Sequence, residues 1–85
     1  MNGLRLDFYS KDGCSLCEEA RPMVVAAAER HNFLFTEHDI RSSMELFMRY
    51  RHQVPVLEID GQAIMTLRFD EASLEQVLSA ARQEN

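Results

Sequence analysis

The chain has 85 residues, of which 46% are hydrophobic, and a formal net charge of −5. This length and composition predict a single domain, residues 1–85, with one modest core, and they exclude a disordered or collagen-like chain. The acidic balance argues against nucleic acid, because phosphate binding requires clustered Lys and Arg, and the 9 basic residues are scattered. No apolar run reaches the ~18 residues of a membrane span, and the chain begins without the segments of a signal peptide. We therefore expect a cytoplasmic protein that binds neither nucleic acid nor membrane.

In the first half of the chain, two strands are predicted on either side of a helix. Residues 4–9 alternate apolar and polar side chains, which is typical of a strand, and residues 11–13 break this pattern as a turn. Apolar residues at helical spacing predict a helix over residues 15 to about 31, and Pro22 is expected to kink its axis. Residues 33–39 fit a second strand.

A second helix is predicted from a capping signal. Ser42, with Glu45 three residues later, forms a capping box, in which the two side chains accept hydrogen bonds from backbone N–H groups at a helix start. The helix is therefore predicted to begin after Ser42. The side chains of this helix that are predicted to face the core are Leu46, Phe47 and Tyr50.

The last third of the chain predicts a hairpin and a final helix. Residues 55–59 are rich in β-branched side chains and fit a third strand. Asp60-Gly61 is a strong signal for a two-residue turn, after which residues 62–66 return antiparallel. Asp70 can cap the last helix. The side chains that this helix is predicted to bury are Leu74, Val77, Leu78 and Ala81.

The predicted element order is β-α-β-α-β-β-α, which places the chain in the α/β class. Two strands joined by a helix are expected to be parallel with a right-handed crossover, whereas the hairpin is antiparallel. A mixed four-stranded sheet flanked by helices follows from this order. Arg5 and Asp7 fall in the first strand, which this topology places inside the sheet, and the sequence alone does not indicate what accommodates their charges.

The motif Cys14-Ser15-Leu16-Cys17 lies where the first strand is followed by the first helix. A helix N-terminus carries partial positive charge and unpaired N–H groups, and both stabilise a thiolate, which is the species that attacks disulfides. Cys14 precedes the helix and can present its sulfur to solvent, whereas Cys17 lies one turn inside and points toward the protein. The motif therefore predicts thiol–disulfide exchange, with Cys14 as the nucleophile and Cys17 as the resolving thiol.

Two other interpretations of the cysteine pair stay open at this point: a pair of packed, inert thiols, or half of a zinc site. A structural zinc site requires four ligands, and the chain has two cysteines and three histidines without close spacing. The histidines are His31, His38 and His52. Because structural disulfides are rare in the cytoplasm, a cysteine pair there is more often catalytic or metal-binding.

Lys11 lies three residues before Cys14 and could stabilise a thiolate by charge, or it could be an ordinary turn residue. Acidic residues around the motif oppose this effect, because like charge disfavours a thiolate. These residues are Asp12, Glu18 and Glu19. We therefore expect only moderate stabilisation of the Cys14 thiolate.

The chain resembles the glutaredoxin and thioredoxin superfamily along almost its entire length. Residues 9–17 resemble the opening of glutaredoxins, where Tyr-Ser-Lys-x-x-Cys leads into Cys-x-x-Cys, and residues 54–56 resemble the Val-Pro segment that carries the cis-proline of the superfamily. Asp60-Gly61 matches the hairpin after that segment, and Pro22 is similar to the helix proline of thioredoxins. Within the superfamily, the chain resembles short bacterial glutaredoxin-like proteins. The resemblance implies a thioredoxin fold and a cis bond before Pro55, although an X-Pro bond is ordinarily trans.

Two segments depart from the glutaredoxin pattern. Ser15-Leu16 stands between the cysteines, where glutaredoxins usually carry Pro-Tyr or a similar aromatic dipeptide. Residues 65–68, Met-Thr-Leu-Arg, stand where glutaredoxins carry Gly-Gly and an acidic residue, which hold the γ-glutamyl group of glutathione. Arg68 would repel the glutathione amino group but could attract a carboxylate, or it is a surface loop residue. We therefore expect weak glutathione binding.

The leading hypothesis is a monomeric, glutaredoxin-like thiol–disulfide oxidoreductase that reduces protein disulfides or glutathione mixed disulfides. No bound cofactor or metal is expected, and the electron source would be glutathione or thioredoxin reductase. One alternative is a redox-inactive module that binds a peptide by strand addition. Another is a metal- or cluster-binding homodimer bridged through Cys14. The predicted site residues are Cys14 and Cys17 for catalysis and Lys11, Val54, Pro55 and Arg68 for substrate binding.

Overall fold

The structure is a computed structural model that describes residues 4–83, so the predicted domain of residues 1–85 extends beyond the described residues at both ends. The predicted order of elements is confirmed, with a short 3-10 turn, Ile40–Ser42, added before the second helix. The strands are β1 (Arg5–Ser10), β2 (Leu34–Asp39), β3 (Val56–Ile59) and β4 (Gln62–Thr66). The helices are α1 (Ser15–Arg30), α2 (Met44–Tyr50) and α3 (Glu71–Gln83).

The four strands form one mixed sheet in the order β2-β1-β3-β4. β1 pairs in parallel with β2, while β3 pairs antiparallel with both β1 and β4. The parallel pair is joined through α1 and the antiparallel pair through a tight turn, as the sequence predicts. Because β1 has a neighbour on each side, the loop that follows it starts from inside the sheet, and this loop leads directly to the cysteine motif.

The two faces of the sheet bury different side chains, because successive residues of a strand point to opposite sides. Leu6 and Phe8 are fully buried against α1 and α3, where Val24 and Leu78 belong to the larger apolar core. Tyr9 lies on the opposite face, which α2 covers. The second buried cluster, on that face, consists of Tyr9, Cys17, Ile40, Tyr50, Val54 and Val56, with Leu46 and Phe47 packed against it.

The predicted capping box of Ser42 and Glu45 is wrong by one residue. Ser43 is the N-cap of α2, and its hydroxyl accepts a hydrogen bond from the Leu46 N–H at 3.2 Å. The Ser42 hydroxyl instead donates to the backbone carbonyl of Asp39 at 2.7 Å, within the 3-10 turn. The turn uses Ser42 for its own hydrogen bonding, so the next serine starts the helix.

The last helix has the predicted cap and part of the predicted buried stripe. The Asp70 carboxylate accepts a hydrogen bond from the Ser73 N–H at 2.9 Å, which confirms Asp70 as the cap of α3. Of the four side chains predicted to be buried on that helix, Leu74 and Leu78 are buried, whereas Val77 and Ala81 are only partly buried. The helix α1 continues through Pro22 to Arg30, so the hydrogen bond that proline removes does not end it. The kink expected at Pro22 stays a prediction.

Candidate active site

Cys14 occupies the N-terminus of the 16-residue helix α1. It is the N-cap residue, and its Sγ accepts a hydrogen bond from the Cys17 N–H at 3.1 Å. The two cysteines form a disulfide with Cα atoms 5.2 Å apart, in which Cys14 is partly exposed and Cys17 is fully buried. The sulfur of Cys14 thus lies where unpaired backbone N–H groups and the helix dipole favour negative charge. The predicted difference in accessibility between the two cysteines is confirmed.

The residues Val54 and Pro55 are close to this pair. The Val54–Pro55 peptide bond is cis, as the resemblance implies, and both residues are buried. Val54 packs in one apolar cluster with Cys17, and Cys14 lies at the edge of that cluster. Among residues 4–83, the backbone of Val54 takes part in no strand pairing and in no loop hydrogen bond. The fold therefore brings together the cysteines and the segment expected to bind substrate.

Lys11 lies on another side of the motif, where it lines a polar depression of about 250 Å³. The walls of this depression include an ion pair in which Arg21 donates to Glu37 at 2.7 Å, and the Arg21 guanidinium lowers the pKa of the Glu37 carboxyl. Within the described part of the chain, Lys11 makes no ion pair or side-chain hydrogen bond, and none joins it to Cys14. The role predicted for Lys11 stays a prediction. The other residues lining the depression are Ser10, Asp12, Glu18 and Asp39.

Arg68 is exposed and borders a cleft of about 280 Å³ beside the motif. The cleft lies between the start of α1 and the β4–α3 loop, and Leu16, which separates the two cysteines, forms part of its wall. The sequence identified Arg68 but not the apolar character of this cleft. Its lining residues are Leu16, Glu19, Ala20, Met23, Leu67, Arg68, Phe69 and Asp70.

A buried polar network, which sequence analysis did not find, lies on the face of the sheet that also packs against Cys17. The hydroxyls of Tyr9 and Tyr50 both donate to the carboxylate of Glu58, at 3.1 and 2.6 Å. Glu58 is 6% exposed, and no cationic side chain of residues 4–83 forms an ion pair with it. The two hydroxyls therefore supply its hydrogen bonds.

The same network accommodates the charges of the central strand. Asp7 lies directly opposite Glu58 in the β1–β3 register and is 3% exposed. Its carboxylate pairs with Arg5 at 3.0 Å and with the Nε2 of His38 at 2.8 Å. His38 in turn stacks on Tyr9, with ring centroids 4.7 Å apart. The charges that the sequence left unexplained are thus paired with each other on β1 and, through His38, with β2.

We expect the tyrosines of this network to resist ionisation until the protein unfolds. The pKa of Tyr9 is raised mainly by burial and next by the charge of Glu58. The pKa of Tyr50 is raised mainly by burial and next by its hydrogen bond to Glu58. The folded state holds the tyrosine protons more tightly than the unfolded state does. The two tyrosines therefore stabilise the fold fully at pH values below the ordinary tyrosine pKa of 10.0, and this stabilisation is lost as the pH rises above that value. The chain has 2 tyrosines, so tyrosinate absorbance reports on this network alone.

In an alkaline titration, tyrosinate absorbance should rise together with the loss of helical circular dichroism, in one cooperative step. Protein unfolded in denaturant provides the control and should titrate near the ordinary tyrosine value. Ionisation of both tyrosines at that pH in a protein that keeps its circular dichroism would contradict the prediction.

A metal-binding cluster and a membrane-spanning helix are both absent from the described residues. Between residues 4 and 83, no three His, Cys, Asp or Glu side chains are grouped so that they could hold a metal ion. Of the helices formed by the same residues, none is both long enough and apolar enough to cross a membrane.

The fold and the site together define a protein of the thioredoxin-fold class. Thioredoxin 1 from Thermosipho africanus superposes with a TM-score of 0.73 at 14% identity, covering 94% of this chain and 96% of that chain. Protein XcR50 from X. campestris superposes with a TM-score of 0.67 at 28% identity, covering 88% of this chain and 96% of that chain. These similarities confirm the predicted thioredoxin fold.

Within this class, two sequence similarities identify the family. The family model described as Glutaredoxin-like domain (DUF836) matches residues 5–79. The Glutaredoxin-like protein YDR286C homolog from Dictyostelium discoideum is 31% identical over 77 residues, which cover 84% of this chain and 71% of that protein. The chain belongs to the glutaredoxin-like family, and its cysteine pair supports a redox role.

Proposed function

We propose that the protein is a thiol–disulfide oxidoreductase that acts as a monomer in the cytoplasm and reduces protein disulfides. The observation that carries this proposal is the Sγ of Cys14 at the N-terminus of α1, within hydrogen-bonding distance of the Cys17 N–H. A reduced Cys14 at this position is favoured as the thiolate, which is the reactive form. The buried thiol of Cys17 is held within reach of the same sulfur.

The proposed reaction transfers two electrons from the dithiol to the substrate. The Cys14 thiolate attacks one sulfur of a substrate disulfide, forms a mixed disulfide and releases the other sulfur as a thiolate, which takes up a proton. Cys17 then loses its proton and attacks the Cys14 sulfur, which releases the second substrate thiol. The protein is left with the Cys14–Cys17 disulfide, and an external reductant, either two glutathione molecules or thioredoxin reductase, must return two electrons to it before the next cycle.

One feature suits any extended peptide chain as substrate, and a second favours a polypeptide over glutathione. The backbone of Val54 is available to pair with an extended substrate chain beside the cysteines, which is a common mode of peptide recognition. Arg68 stands at the position where glutaredoxins carry an acidic residue, so the ammonium group of glutathione would meet a positive charge. Losing one charge-assisted hydrogen bond costs about 1.5–3 kcal/mol, which corresponds to a roughly ten- to hundredfold loss of affinity.

A disulfide-reduction assay with two electron sources tests the proposal. We expect the protein to reduce a protein disulfide when thioredoxin reductase supplies the electrons, and to do so poorly with glutathione and glutathione reductase. In parallel, a chemical-shift titration of the oxidised protein with glutathione should show weak binding that Arg68→Asp strengthens. Failure to reduce any disulfide with either source, or with a chemical dithiol, would overturn the proposal. Tight glutathione binding centred on residues 65–68, unchanged or weakened by Arg68→Asp, would overturn the preference for polypeptides.

A further inference from the structure

Leu67 combines a strained backbone with an exposed apolar side chain. Its φ of 69° lies in the left-handed region, which a side chain with a Cβ atom disfavours and which glycine adopts without cost. The Leu67 N–H donates to the Pro55 carbonyl at 2.9 Å and also lies 3.3 Å from the Gln53 carbonyl, so the loop is fixed to the cis-proline segment. The leucine side chain is 44% exposed and therefore adds little to the core. Folding alone would favour glycine here, so the leucine points to a function.

The side chain of Leu67 borders the cleft that adjoins the cysteine motif. Leu67 and Phe69 form the loop wall, and Leu16 and Met23 lie on the opposite wall, on α1. Because Leu16 lies between the two cysteines, this apolar lining continues directly from the disulfide. The volume of about 280 Å³ is just below the range of about 300–1,000 Å³ for pockets that enclose a whole small ligand. A cleft of this size has room for one large side chain.

The charges around the cleft do not select a charged ligand. Arg68 on the loop wall and Glu19 on the α1 wall carry opposite charges, and neither forms an ion pair within residues 4–83. The carboxylate of Asp70 is engaged by Ser73, as the cap of α3. Apart from Asp70, whose carboxylate is held in the cap of α3, the rim carries one charge of each sign, so the cleft discriminates by the apolar side chains inside it.

We propose that Leu67 is a specificity-determining residue, and that this cleft binds a large apolar side chain next to the reactive cysteine of a polypeptide disulfide substrate. The inference rests on the proposed oxidoreductase function and adds the class of substrate to it. A substrate chain that pairs with the backbone of Val54 places its disulfide at Cys14. Because the β4–α3 loop is hydrogen-bonded to Pro55, Leu67 then faces the substrate side chain next to that disulfide. The strained leucine is retained because it completes the apolar wall.

The test uses two disulfide-linked peptides that are identical except for leucine or serine beside the reactive cysteine. We expect the wild-type protein to reduce the leucine peptide with a kcat/KM roughly tenfold higher, which is typical of a small apolar pocket. In Leu67→Gly this preference should fall to less than about twofold, while the melting temperature is not lowered, because glycine relieves the backbone strain. Leu34→Ala is the control: Leu34 is 59% exposed on β2, outside the cleft, and its variant should keep the preference.

The outcomes separate the inference from the function on which it rests. A wild-type protein that reduces both peptides and hydroxyethyl disulfide without a preference for leucine overturns the inference and leaves the oxidoreductase function standing. A preference that survives in Leu67→Gly also overturns it. A wild-type protein that reduces none of the three substrates overturns the function, and the inference with it. A preference lost in Leu67→Gly and kept in Leu34→Ala supports the assignment.

Discussion

Cys14→Ser is expected to lower disulfide reduction to the uncatalysed background, whereas Cys17→Ser should accumulate a stable mixed disulfide with its substrate. Cys14 is the partly exposed cysteine at the helix N-terminus, so it is the sulfur that an incoming disulfide can reach. Cys17 is fully buried and can react only with a sulfur already bound at Cys14. Mass spectrometry of each variant after incubation with a disulfide peptide measures the adduct, and a turnover assay measures the loss of reduction.

The alkylation of the reduced wild-type protein at neutral pH checks the same assignment independently. Cys14 should react with iodoacetamide much faster than Cys17, because it is both more accessible and stabilised as a thiolate. Ser15→Ala is a suitable control, since it alters an exposed position between the cysteines without removing either sulfur. Faster alkylation of Cys17, or an adduct that forms on Cys17 in the wild-type protein, would reverse the roles.

Glu58→Ala should lower the free energy of unfolding by about 2–6 kcal/mol, the largest effect on stability that we expect. Both tyrosine hydroxyls of the network donate to this one carboxylate. Truncation leaves two buried hydroxyls unpaired, and each costs about 1–3 kcal/mol. Because small domains have total stabilities of about 5–15 kcal/mol, the variant could be largely unfolded at moderate temperature. Urea unfolding followed by circular dichroism measures the change.

Glu58→Gln is the matched control for this prediction. Glutamine keeps the shape of the side chain and one acceptor oxygen, and its amide NH₂ can donate to the second tyrosine hydroxyl. We therefore expect Glu58→Gln to lower the free energy of unfolding by less than half as much as Glu58→Ala. It also removes a buried negative charge beside Asp7, which offsets part of the loss. Equal losses in the two variants would show that the charge of Glu58, rather than its hydrogen bonds, stabilises this face of the sheet.

The features that the sequence predicted correctly depend on residues close together in the chain. The alternation in residues 4–9 and the turn at Asp60-Gly61 are local patterns, and each defines its element without knowledge of the rest of the fold. The position of the cysteine motif at a helix N-terminus follows from the strand before it and the helix after it alone. The cis bond before Pro55 is different, because local preference favours trans and only the resemblance to a superfamily indicated it.

What the sequence did not reveal depends on contacts between distant residues. The hydrogen bond from Tyr9 to Glu58 joins positions 49 residues apart, so neither residue indicates its partner until β1 and β3 pair. The use of Ser43 in place of Ser42 depends on the 3-10 turn that β2 leads into. By itself the sequence determined the order of the elements and the position of the reactive sulfurs, because both follow from short-range geometry. Only the tertiary structure decided how the buried charges are paired and which side chains surround the cysteines, because these depend on which strands and loops pack together.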